Sequence, residues 1–148
     1  MTEALMNQPW WVIDILPEQV PEHSAGQYFA VEAYYLRQPA IRDLRRRFTD
    51  ILLKLNCYYD FLVFFSDADE YVRNPAPEQL ADGIAAGKDL RIILSGEDAL
   101  ITLNHDDTYM TAFHPSGTLL ARLGSLASGN GLFLWQPPLG KQGEEEGK

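Results

Sequence analysis

Residues 39–56 constrain the fold of this chain more than any other stretch. Ile41, Leu44, Phe48, Ile51, Leu52 and Leu55 recur at the spacing i, i+3, i+7, i+10, i+11, i+14. At about 100° per residue they fall in one stripe along a helix. A helix with a single apolar stripe buries it against a second layer, so the chain has to fold as packed layers. Pro39 suits the first helical turn. Asp43 with Arg47 and Asp50 with Lys54 are acid-before-base pairs at i,i+4. Such pairs contribute about 0.2–0.5 kcal/mol each.

The second layer is legible in short apolar runs. Trp10–Leu16 is rich in Trp, Val and Ile and is closed by Pro17, which predicts a strand. Residues 58–65 form a bulky aromatic run that predicts a buried strand. Leu90–Leu94, Ala99–Asn104 and Thr108–Phe113 are three more strand-like runs. Ser95-Gly96-Glu97-Asp98 and His105-Asp106-Asp107 are their turns, which predicts an antiparallel meander. Leu132–Trp135 is a last strand. Helices are expected over about 26–36, capped by Ser24, from Asn74-Pro75-Ala76-Pro77 to about Ala86 before Gly87, and from His114-Pro115-Ser116 to about Ala127, with the N-cap region at His114. The predicted order is β-α-α-β-α-β-β-β-α-β. That order predicts an α+β fold: a single domain over 8–136, with an antiparallel or mixed sheet covered by about four helices. Residues 1–7 are expected to fray, and 137–148 to form a disordered acidic tail.

Charge narrows the function classes. The chain has 148 residues and a net charge of −9. Residues 1–36 carry no Lys or Arg and a net −5, residues 37–54 a net +4, and residues 57–148 a net −8. A surface of this balance repels nucleic acid, which needs several Lys or Arg aimed at phosphates. On a helical wheel Arg42 and Arg46 fall on one side of Asp43 and Asp50, with Arg47 and Lys54 on the other, so no continuous basic stripe forms. Arg45 falls at the edge of the apolar stripe, placed to extend its head outward or to pair with an inward carboxylate. No apolar run reaches the roughly 18 residues of a membrane span, and the first residues lack the form of a signal peptide. A lone cysteine, Cys57, makes neither an internal disulfide nor a cysteine-rich zinc site, and its neighbours Leu55, Tyr58 and Tyr59 predict a buried thiol. A cytoplasmic protein is expected.

The motifs that carry chemistry are missing or broken. Gly83–Asp89 has three residues between its glycines where a phosphate loop has four, and Asp89 follows the lysine. Asp67-Ala68-Asp69-Glu70 opens like a calcium loop, but Val72 stands where the turn needs glycine. His105 and His114 are expected at opposite ends of one strand, too far apart for one metal ion. There is no G-x-S-x-G, S-x-x-K or H-E-x-x-H pattern. No catalytic, cofactor-binding or metal-binding residue is therefore assigned, and no cofactor is expected.

What remains is a non-enzymatic interaction module. It would occlude a basic surface on a partner protein, as antitoxins and immunity proteins do, an analogy of mode and not of motif. Its candidate contact residues are Asp67, Asp69, Glu70, Asp106 and Asp107, with Arg42, Arg45 and Arg46. The alternative is a small-molecule-binding or enzyme domain whose pocket is lined by Trp10, Trp11, Tyr34, Tyr35, Tyr58, Tyr59 and Trp135.

Overall fold

The computed structural model describes residues 2–17 and 25–137. Ser24 and the tail from residue 138 onward lie outside the described residues. Among the described residues, five helices and seven strands follow in the order α1 (Thr2–Met6), β1 (Trp10–Asp14), α2 (Ala25–Tyr35), α3 (Ala40–Asn56), β2 (Phe61–Phe65), β3 (Val72–Arg73), α4 (Pro77–Ala85), β4 (Leu90–Leu94), β5 (Ala99–Leu103), β6 (Tyr109–Phe113), α5 (Gly117–Gly129) and β7 (Phe133–Trp135). The strands form one antiparallel sheet in the order β3-β2-β4-β5-β6-β1-β7. The expected meander β4-β5-β6 is its centre. The edge strands β3 and β7 have two and three residues, short enough to offer little template for pairing with another chain.

The two faces of the sheet are unequal. Phe61, Val63 and Phe65 of β2, Leu90, Ile92 and Leu94 of β4 and Ile101 of β5 point into the main core, where they meet the stripe of α3. All six stripe residues of α3 are buried, together with Thr49. α4 adds Leu80 and Ile84, and α5 adds Leu119, Leu123 and Ala127. Ser116 caps α5, accepting from the Leu119 N–H at 3.1 Å. Asn74 takes the left-handed conformation that asparagine tolerates better than most residues. Its side chain closes the lower end of α3 against β2: Oδ1 accepts from Phe61 N at 2.8 Å and from Asn56 Nδ2 at 3.0 Å. On the opposite face a smaller cluster of Trp10, Val12, Ile93, Leu100 and Phe113 is partly covered by Leu5 and Met6.

Four local expectations are corrected. Residues 2–6 form helix α1, because Leu5 and Met6 have an apolar sheet face to rest on. Val72 and Arg73, where the predicted element order has no strand, pair with Val63 and Leu62 as β3. Cys57 is exposed: it caps α3, where the stripe has ended, and its thiol lies 3.6 Å from the Leu53 carbonyl on the outer side. Asp50 approaches Arg46 at 3.9 Å, one turn before it, instead of Lys54.

Candidate functional site

Strand register gathers the acidic loops. Phe65 of β2 pairs with Leu90 of β4, Leu90 with Leu103 of β5, Leu103 with Met110 of β6, and Met110 with Ile13 of β1. The loops that follow β2, β5 and β1 and the one that precedes β4 therefore leave the sheet at one end. The sequence-assigned acids Asp67, Asp69 and Glu70 sit in the first of these loops and Asp106 and Asp107 in the second, and the fold brings both groups to this end. Asp69, Glu70 and Asp106 are exposed and have no ion-pair partner among the described residues, whereas Asp67 holds Lys88 at 3.0 Å. Asp107 accepts from Asn104 Nδ2 at 3.2 Å. Burial pushes its carboxyl above the ordinary carboxylate range, and the neighbouring Asp106, Asp89 and Glu32 push it further.

Asp89 and His105 tie the middle of this end together. Asp89 Oδ1 accepts from both the backbone N–H and the ring Nδ1 side of His105, each at 2.8 Å. The backbone N–H of His105 holds the Asp89 carboxyl down, with its ring bond second. The same Asp89 bond raises the imidazole above its ordinary value of 6.5. The stabilisation from the raised imidazole is complete below its unfolded value and fades as pH rises through the folded one. Following the His105 ring carbons by NMR is expected to give a midpoint above 6.5, and Asp89→Asn should bring it down. A midpoint unmoved by Asp89→Asn would mean that the pair does not form.

The three assigned arginines lie beside this end, not within it. Arg45 donates to the His105 carbonyl at 3.3 Å; no inward carboxylate among the described residues reaches it. Arg46 and Arg47 both bind Asp43, at 2.8 and 2.9 Å. Arg42, Arg45 and Arg46 line a groove of about 340 Å³ between α3 and α4 with Gln38, Thr49 and Asp82.

The aromatic residues do not converge on a pocket. Trp10 is buried under α1, Tyr35 and Tyr59 pack against the main core, and Trp135 packs against the smaller one. Trp11 is half-buried on β1. Tyr58 is exposed and carries the Arg122 guanidinium 4.0 Å above its ring. Among the described residues no group of three or more His, Cys, Asp or Glu is placed to share a metal ion, and no helix is long and apolar enough to cross a membrane.

Helix α2 supplies what the sequence does not assign. Tyr28 and Tyr35 turn inward, while Phe29, Val31, Tyr34 and Leu36 face out, with Phe29 62% and Tyr34 55% exposed. A surface helix ordinarily turns polar residues outward. Glu32 of α2 adds to the rise of the Asp14 and Asp107 carboxyls, after burial in each, so its charge lies near these two acids. A signal for this face exists in the sequence: residues 25–36 hold one charged side chain, Glu32, too few to build a polar face. Asp89 and His105 are legible only through register: Leu90 pairs with Leu103, so the chain just before β4 runs beside the chain just after β5, where His105 reaches Asp89.

The chain matches no known family, and neither a curated protein nor a solved structure is significantly similar to it.

Proposed function

We propose that the protein is a non-enzymatic interaction module that binds a partner protein through α2 and the adjoining acidic end of the sheet. The carrying observation is the outward apolar face of α2, with Phe29, Val31, Tyr34 and Leu36 in solvent on a helix whose Glu32 lies near Asp14 and Asp107. Aromatic anchors at the centre and charge at the rim are the features that give protein interfaces their affinity and their steering. The partner that fits has an apolar patch ringed by Lys and Arg. Occlusion of such a basic surface needs no catalytic group. An exposed free thiol at Cys57 fits the reducing cytoplasm.

Photo-crosslinking residues placed one at a time at Phe29, Tyr34, Asp106 and Thr118 test this in cells that express the full chain. Thr118 lies in the first turn of α5, which starts from the other end of the sheet. One and the same partner should be captured from the first three positions and not from Thr118. Equal capture from all four, or none from Phe29 and Tyr34, would contradict the proposal.

A further inference from the structure

The groove between α3 and α4 lies outside the proposed docking surface and has a chemistry of its own. Its volume of about 340 Å³ falls within the range of small-molecule sites. Arg42, Arg45 and Arg46 occupy one wall, the methyl groups of Ala81 and Ala85 line it from α4, and Gln38, Thr49 and Asp82 complete it. Two features set these arginines apart from an ordinary solvated helix face. Arg42 has no hydrogen-bond or ion-pair partner among the described residues, and Arg45 has only the His105 carbonyl at 3.3 Å. Arg42 also sits in the first turn of α3, at the positive end of the helix dipole, where a cation is disfavoured and an anion is favoured. Positive charge is thus concentrated in a concave site, although the chain carries −9 overall.

We propose that this groove binds a small phosphorylated molecule, its phosphate held by Arg42 and Arg45 with Arg46 at the rim. Arginine presents a planar fork of donors that matches phosphate oxygens two at a time. The Asp43 carboxylate already neutralises part of Arg46, which leaves Arg42 and Arg45 as the main anion-binding pair. Asp82 faces the same space with no ion-pair partner among the described residues, so it accepts a hydrogen bond from a hydroxyl or amine on the organic part of the ligand. The organic part rests on Ala81 and Ala85. A nucleic acid is disfavoured here because its neighbouring phosphates would run into the acids around the groove.

The test is an NMR titration of the full chain with inorganic phosphate, following the arginine Nε–H signals, against chloride at matched ionic strength. Phosphate should move the Arg42 and Arg45 signals along a saturating curve and leave Arg73, on β3, nearly still. Arg42→Gln should weaken phosphate binding at least about tenfold. Asp82→Asn should tighten it severalfold, a gain that a damaged fold does not produce. Shifts that rise linearly, that chloride reproduces, or that Arg73 shares equally would overturn the site. So would affinity unchanged by both substitutions. None of these outcomes bears on capture at Phe29 and Tyr34, so the two proposals stand or fall separately.

Discussion

Phe48→Ala is expected to lower stability by about 3–5 kcal/mol, a large part of the roughly 5–15 kcal/mol that holds a typical domain together. Phe48 is 1% exposed at the middle of α3, the helix that touches both α4 and α5 and lies on the sheet. Deleting its ring leaves a cavity within the main core, which rigid packing resists closing. The same helix supplies the control. Arg42→Ala and Arg46→Ala remove exposed side chains, and the Arg46 side chain stays 68% exposed even while it holds Asp43. Exposed ion pairs are screened by water, so both substitutions should be near neutral. Arg45→Ala should fall between, because it also releases the His105 carbonyl. Urea unfolding of the four variants measures all of this. A near-neutral Phe48→Ala beside a disruptive Arg42→Ala would mean that α3 turns its other face inward.

Asp14→Asn is expected to stabilise the protein at neutral pH. Asp14 is 3% exposed at the end of β1, and its Oδ1 accepts from Leu16 N at 3.0 Å and from Thr108 Oγ1 at 3.3 Å. Burial pushes its carboxyl up from 3.8 to about 6, and those hydrogen bonds offset only part of that cost. A raised carboxyl means that the folded state binds the proton more tightly than the unfolded state does. Its stabilisation is therefore complete below about pH 4 and is lost as pH rises through about 6. Above that, the ionised form costs roughly 2–3 kcal/mol by linkage. An asparagine keeps the acceptor without the charge. The stability of Asp14→Asn relative to the unaltered chain should rise by about that amount between about pH 4 and pH 7, and a difference flat across this window would show that Asp14 is already solvated.

The secondary elements are legible wherever one physical signal dominates. Period predicts the α3 stripe, turn chemistry the three meander strands, and the His114-Pro115-Ser116 segment the start of α5, where Ser116 and not His114 is the cap; each element occurs close to its expected place. α1 is not legible, because five residues carry too little pattern to declare a helix and its reason to form is the sheet face it rests on. β3 has two residues and exists through its partner. The sequence neighbours of Cys57 predict burial, yet one position past the end of α3 the direction of the side chain is set by the cap. For the candidate site, residue types are legible and geometry is not. Nothing in the chain order says that Asp69 and Asp106 share an end, or that Arg42 faces Asp82 across a groove. Those relations come from register and helix packing, which join residues far apart along the chain.

That α2 and the acidic end act together as one docking surface is tested most directly by the affinity of the partner captured at Phe29, measured at rising ionic strength. The variants to compare are Phe29→Ser and the double reversal Asp69→Lys with Asp106→Lys, all three positions being exposed and therefore replaceable without harm to the fold. Binding to the unaltered chain should weaken between about 0.05 M and about 0.5 M salt, as screening shortens to a few ångströms. Phe29→Ser should weaken it at every salt concentration, and the charge reversal should weaken it at low salt and flatten the salt dependence. Affinity indifferent to salt and to both variants would contradict the proposed surface.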